Sequence, residues 1–168
     1  MRWNLADVAA ATFGRAIGDA PIERVVTDSR LAAPGALFVA LRGDRHDGHD
    51  FAAAAAAAGA AVMVERGRMP EGSPGVEVAA PLEGLRALAV RRRGELEVPV
   101  AAITGSTGKT TTKDLLAAVL GPGTHAAPRS FNNEIGVPLT VLDAPGGAGA
   151  LVIEVGSRGR GHIALLAP

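Results

Sequence analysis

A chain of 168 residues with 48% hydrophobic and 20% charged side chains has the make-up of a folded globular protein, with room for one ordinary core or two small ones. Its formal net charge of zero leaves no general basic field, so no nucleic-acid partner is expected and any polyanion must be held locally. Cysteine is absent, which excludes disulfides, thiolate catalysis and cysteine-bound zinc and fits a reducing compartment.

The opening MRWNLADVAA has no continuous apolar stretch of the kind an export signal needs. The longest apolar run, Phe51 to Val64, is mostly alanine and contains Gly59, short of the roughly 20 strongly apolar residues of a membrane span. A cytoplasmic chain without membrane insertion is the expectation. Lys109 and Lys113 are the only lysines, so arginine supplies the rest of the basic charge.

In chain order, Leu5 to Phe13 has helical apolar spacing and stops at Gly14. IERVVTDSR carries a strand into a polar turn. PGALFVALRG predicts a Pro-Gly turn and a buried strand from Leu37 to Leu41. After the loop GDRHDGHD, Asp50 is placed to cap a helix over 51–58 that ends at Gly59, before a strand from Ala61 to Glu65. RGRMPEGSPG is loop by composition. A strand from Val76 to Ala79 precedes a helix opening at Pro81, with Leu82, Leu85, Leu88 and Ala89 on one face.

The texture changes after RRRGELEVP, which places a domain boundary near Glu97. VPVAAIT is continuously apolar up to a glycine-rich turn, as for a parallel strand buried on both faces. Thr110 to Leu120 predicts a helix with Leu115, Leu116 and Val119 inward. SFNNEIGVPLTVL is a loop and then a short helix or strand, between which periodicity does not decide. GALVIEV predicts a second buried strand. The order of elements predicts α/β architecture in both halves. The sequence ends at Pro168, about a dozen residues past that strand, whereas a doubly wound nucleotide-binding sheet takes about five or more strands; a truncated domain over 98–168 is the expectation.

Chemistry concentrates in ITGSTGKTTTKDLL. Backbone amides of a glycine-rich turn at the start of a helix, aided by the helix dipole, can cradle phosphate oxygens, a lysine can reach the terminal phosphates, and the next hydroxyl can ligate Mg²⁺. Gly105, Ser106, Thr107, Gly108, Lys109, Thr110 and Thr111 stand in that order after a predicted strand and open a predicted helix. The usual spelling would have glycine where Ile103 stands, so the loop is shorter than the common one. A glycine turn with a chance lysine is the alternative, disfavoured by strand, loop and helix standing in register. The second feature is Glu154 near the end of LVIEV. An acid at the carboxyl end of such a strand can hold Mg²⁺, the alternative being a glutamate turned to solvent or to Arg158.

TGSTGKTTTKDLL, followed by SFNNEIGVPLTVL and LVIEVGSRGRGHIALL, resembles the central domain of the Mur ligases of peptidoglycan precursor synthesis. Upstream, TDSRLAAPGALFVALRGDRHDGHDFAAAAAAAGA resembles the N-terminal domain of two branches of that family. GSTGKTTTKD with FNNEIGVPLT is similar to the branch that joins D-alanyl-D-alanine to UDP-N-acetylmuramoyl-tripeptide, more than to the branch that adds a diamino acid.

The resemblance implies a small N-terminal α/β substrate domain over 1–97, then the first part of a P-loop-type, mostly parallel ATPase domain, with the C-terminal acceptor domain absent. It implies an ATP- and Mg²⁺-dependent amide ligase working through an acyl phosphate, monomeric, with this length of chain inactive alone. Lys109, Thr110 and Glu154 would be catalytic, Thr110 and Glu154 would hold the metal, and residues 105–111 would hold ATP. Ser29, Arg30 and the loop from Gly43 to His49 would meet the uridine diphosphate end of the donor, and Asn132 and Asn133 its muramoyl portion. Each substrate residue has a plainer reading: Asp28 and Ser29 as a capped turn, His46, Asp47 and His49 as a solvated loop, Asn132 and Asn133 as caps of the next element. A non-catalytic module binding a nucleotide or UDP-sugar is the reading from another functional class.

Overall fold

The computed structural model describes residues 1–44, 46–128, 131–157 and 159–166, and it divides into two compact units, Met1–Leu88 and Ala89–Pro168. In the first unit β1 (Trp3–Asn4) leads directly into α1 (Leu5–Thr12), because Asn4 closes a capping box. Its side-chain oxygen accepts from the Asp7 amide at 2.9 Å, and Asp7 Oδ2 accepts from the Asn4 amide at 3.0 Å. There follow β2 (Arg15–Ile17), β3 (Pro21–Ile22), β4 (Arg24–Val26), β5 (Ala36–Val39), β6 (Ala61–Glu65) and β7 (Gly75–Val78). The main sheet has the order β2-β7-β6-β5-β4, parallel from β4 to β7, with β2 antiparallel on β7. Strands β1 and β3 form a separate antiparallel pair.

Strands β5 and β6 are apolar on both faces because both faces are covered, and β7 is buried throughout although it carries Glu77, which pairs with Arg15. One face sends Val26, Phe38, Val62 and Val64 against Ala52 and Ala55 of α2 (Ala52–Ala57). On the other, α3 (Pro81–Glu95) comes so close to β6 that a Cβ on Gly84 would lie 3.0 Å from Met63 Sδ. Leu85 and Leu88 are fully buried and Ala89 nearly so, as the spacing predicts, while Leu82 is half-buried. Each large buried side chain contributes about 1.5–3 kcal/mol relative to exposure. The cap of α2 departs from expectation. A 3-10 turn, Gly48–Phe51, precedes the helix, which has no side-chain cap of its own; Asp47 rather than Asp50 caps the turn by accepting from the His49 amide. An aspartate satisfies an amide two residues on with less chain to order, which leaves Asp50 as a first-turn acid.

The second unit contains β8 (Val100–Ile103), α4 (Lys109–Leu120), β9 (Thr124–Ala126), α5 (Gly136–Asp143), β10 (Ala150–Glu154) and α6 (His162–Leu166). Its sheet is parallel in the order β8-β10-β9. Strand β10, in the middle, is buried throughout, as expected for GALVIEV. Strand β8 is not: Ala102 is exposed and its neighbours are half-buried, since among the described residues β8 pairs only with β10. The inward face of α4 also differs from the prediction. Leu115 and Val119 are exposed, at 63% and 82%, Leu116 is half-buried, and the buried residue is Lys113 at 3%. Lys113 Nζ donates to Ala127 O at 2.7 Å, and a hydrogen-bonded cation can occupy a face that an apolar period would assign to leucine. The segment that periodicity left open is the helix α5.

Candidate functional site

The loop joining β8 to α4 turns on two glycines, Gly105 at φ 149° and Gly108 at φ 75°. A Cβ at Gly108 would meet nothing within 4 Å, so the backbone conformation, not crowding, calls for glycine there. Gly105, Ser106, Thr107 and Gly108 are exposed, as is Thr111. Thr112 N–H reaches Gly108 O at 2.9 Å, and the first-turn amides before it lack intrahelical acceptors and carry the positive end of the helix dipole. Lys109 Nζ donates to Gly105 O at 2.8 Å, folding the cation over the loop that a phosphate would fill.

Glu154 ends β10 in register with Ile103, the last residue of β8, which sets the acid beside this loop. The side chain is buried, 1% exposed. Thr110 Oγ1 donates to Glu154 Oε2 at 2.8 Å, and Asn132 Nδ2 donates to Oε1 at 2.7 Å. Both donors are neutral, and among the described residues no cationic side chain pairs with Glu154; Arg158, its alternative partner, lies outside them. A carboxylate buried with only neutral donors favours the arrival of a cation. Among the described residues no cluster of three or more acidic or histidine side chains offers an all-protein cage. The pair Thr110 and Glu154 nevertheless suits Mg²⁺, which takes one or two hard protein oxygens and completes its shell with phosphate and water. The two asparagines divide the work: Asn132 turns to Glu154, whereas Asn133 Oδ1 accepts from the amides of Ile135 and Gly136 at 3.2 and 2.8 Å and caps α5.

In the first unit the turns holding Ser29 and Arg30 (Ser29–Leu31) and His49 (Gly48–Phe51) follow β4 and β5, adjacent parallel strands, and so leave from the same, carboxyl-terminal end of the strands. Ser29 is half-buried. The Arg30 guanidinium is exposed and forks onto Asp28, with Nη2 to Oδ2 at 2.6 Å; that hydrogen bond, with the Arg30 amide, holds the Asp28 carboxyl down at about 2. His49 is buried, and both its ring nitrogens have partners. Nε2 accepts from the Glu65 amide at 3.0 Å, so the proton sits on Nδ1 and is donated to Asp47 Oδ1 at 2.6 Å. Asp47 is the hub, a role its sequence neighbourhood does not announce beyond the Asp-x-His spacing of a capped turn. Its Oδ2 takes Arg68 Nη1 at 2.6 Å and Arg42 Nε at 3.4 Å, and Arg42 also reaches Glu65 at 2.8 Å. The Arg68 hydrogen bond, then the His49 amide, holds the Asp47 carboxyl well below the usual range. Arg45 of the same loop lies outside the described residues.

A parallel strand, a glycine-rich phosphate loop, a helix, and a buried acid at the end of the neighbouring strand define the second unit as a nucleotide-binding α/β protein of the P-loop type. The model described as "Mur ligase middle domain" matches residues 103–167, and the one described as "Mur ligase family, catalytic domain" matches residues 21–93. Between them they account for most of the chain, which belongs to the Mur ligase family. UDP-N-acetylmuramoyl-tripeptide--D-alanyl-D-alanine ligase from Mycobacterium bovis is 45% identical over 166 residues, covering 83% of this chain and 32% of that protein. Among solved structures, MurF from Acinetobacter baumannii superposes with a TM-score of 0.89 at 34% identity, over 99% of this chain and 38% of that one. MurF ligase from Thermotoga maritima in complex with ADP gives 0.77 at 35% identity, over 87% and 35%. The chain therefore spans about a third of the length of the relatives it matches.

Proposed function

We propose that this chain is the N-terminal and nucleotide-loop portion of an ATP-dependent amide ligase that adds D-alanyl-D-alanine to UDP-N-acetylmuramoyl-tripeptide. The observation that carries the reading is the Thr110–Glu154 hydrogen bond at 2.8 Å under the phosphate loop, a hydroxyl and a buried acid set where a nucleotide-bound Mg²⁺ would lie. The relatives' name and the ADP bound by one of them support it. In this reading residues 98–168 take the nucleotide and residues 1–97 the donor, with Ser29, Arg30 and the 43–49 loop toward its uridine diphosphate end. His49 acts there by holding Asp47 and the Glu65 amide in place, since neither ring nitrogen is left over.

The reaction is a phosphoryl transfer followed by an acyl transfer. The tripeptide carboxylate attacks the γ-phosphorus of ATP, ADP leaves, and the D-alanyl-D-alanine amine then displaces phosphate from the acyl phosphate. Such chemistry needs positioning and charge neutralisation more than a protein nucleophile. The loop amides and the α4 N-terminus bind the phosphates, and Lys109 exchanges the Gly105 carbonyl for the terminal phosphate oxygens. Thr110 and Glu154 would hold Mg²⁺, which supplies neutralisation of the β- and γ-phosphate charge when bound. Among the described residues no helix is long and apolar enough to cross a membrane; that the protein is a cytoplasmic monomer is part of the proposal. The test is phosphate release by the full-length protein. Release that requires ATP, UDP-N-acetylmuramoyl-tripeptide and D-alanyl-D-alanine together is expected; release that requires a diamino acid instead would move the protein to the other branch, and no release at all would sink the ligase reading.

A further inference from the structure

The half-buried Asn132 is held by close backbone approaches at Gly156 and, through its neighbour Phe131, at Gly136. Its carbonyl accepts from the Gly156 amide at 2.7 Å, and a Cβ on Gly156 would stand 2.8 Å from that carbonyl oxygen and 3.2 Å from Asn132 Oδ1. The bare glycine lets the chain leaving β10 run against the asparagine. One residue upstream, a Cβ on Gly136 would stand 2.7 Å from Phe131 Cα, and one residue downstream the Asn133 side chain is fastened to the start of α5. Residues 131–133 are thus wedged between the exit of β10 and the entrance of α5. Further back, Ala127 is pinned by Lys113 Nζ at its carbonyl and by Val152 O at its amide, at 2.7 and 3.0 Å. The side-chain amide that emerges from this wedge points at Glu154 Oε1, 2.7 Å away.

The last torsion of a glutamate is broad, so burial alone does not fix the plane of its carboxylate. The Thr110 hydroxyl holds Oε2 but itself rotates. An amide on a wedged backbone removes the remaining freedom. Its neutrality matters equally: a lysine or arginine in its place would neutralise Glu154, while an asparagine orients the acid and leaves its charge for a cation. We infer that Asn132 is a positioning residue of the cation site, fixing the Glu154 carboxylate so that Oε2 and Thr110 Oγ1 face the bound metal together. The inference rests on the nucleotide and Mg²⁺ reading above and assigns Asn132 to the metal side of the site instead of the muramoyl portion of the donor.

The test measures ADP affinity of the full-length protein by calorimetry over a range of Mg²⁺ concentrations, for wild type, Asn132→Ala, the similarly sized Asn132→Leu, Glu154→Gln and the Asn132→Ala/Glu154→Gln double variant. Both Asn132 variants should bind ADP without metal as the wild type does, and should need about 10- to 100-fold more Mg²⁺ for the metal-dependent gain. The double variant should be no worse than Glu154→Gln alone, because the two act through one carboxylate. An unchanged Mg²⁺ requirement with a raised KM for UDP-N-acetylmuramoyl-tripeptide would overturn the inference in favour of a donor contact. Equal loss of ADP affinity with and without metal would overturn it in favour of general support of the loop. A wild-type protein that binds ADP with help from Mg²⁺ but releases no phosphate with D-alanyl-D-alanine would defeat the ligase reading and leave the role of Asn132 standing.

Discussion

The two units treat charge in opposite ways. Around Asp47 in the first, opposite charges and matching polar groups meet one another: Arg68 and Arg42 on the carboxylate, the His49 ring between Asp47 and the Glu65 amide, Arg42 again on Glu65. Around the phosphate loop in the second, Glu154 is buried with two neutral donors and Lys109 rests on a backbone carbonyl. A satisfied network stiffens a fold; an arrangement short of counter-charge is poised for a ligand that supplies it. Where titratable groups cluster, the useful question is which cluster is still incomplete.

The largest effect should come from the incomplete cluster. Glu154→Gln keeps both hydrogen bonds possible but removes the charge, and we expect ATP turnover by the full-length protein to fall about 10²- to 10³-fold while melting temperature holds. A fall in melting temperature with little change in turnover would place Glu154 among structural acids. Next is the complete cluster. His49→Leu strands the Glu65 amide and leaves Asp47 Oδ1 with only the amide of residue 49, both at half-buried positions, and should cost about 1–3 kcal/mol in urea unfolding. The KM for the UDP-linked donor should change little at temperatures where the protein stays folded; a raised KM with unaltered stability would make His49 a direct contact.

Acid should act on the two units with opposite sign, and this effect is the smallest. Asp47 and Asp28 have carboxyls held below their ordinary range by arginine partners, so their contribution is complete above the ordinary value of 3.8 and is lost as pH falls, for Asp28 down to about 2. Asp143, pushed up chiefly by burial, does the reverse: it is a burden at neutral pH that protonation lifts. Urea midpoints between pH 5 and 2.5 should therefore decline less steeply in Asp47→Asn than in wild type, and Asp143→Asn should gain slightly at pH 7. Equal slopes for Asp47→Asn and wild type would mean that Asp47 pairs as strongly in the unfolded chain.

Local chemistry was legible in the sequence wherever one residue type has one physical reason to be there. The β6 strand falls on Ala61–Glu65 as its apolar run predicts, and strand, glycines, lysine and hydroxyl of the phosphate loop stand as their spacing implies. What escaped depends on partners distant in sequence. Lys113 is buried because a carbonyl fourteen residues on receives it, so Leu115 and Val119 face outward against the apolar pattern. The short β9 carries Thr124 and His125 and gains strand character only from pairing with β10. His49 looks like a free loop histidine until the Glu65 amide, sixteen residues on, takes its second nitrogen. Asn133 follows its plainer reading as a cap, while Asn132, an identical neighbour, turns the other way for reasons written in Gly156.

The scarcity of lysine has a practical side. Of the two in the chain, Lys113 is 3% exposed and Lys109 stands at the open phosphate loop. Within these 168 residues an amine-acylating reagent used sparingly therefore meets one accessible side-chain amine, and mass spectrometry of the peptides that carry the two lysines can compare its modification with that of buried Lys113 as an internal clock. Protection of Lys109 by ADP, relative to that clock, reports occupancy of the loop with no label introduced by mutation.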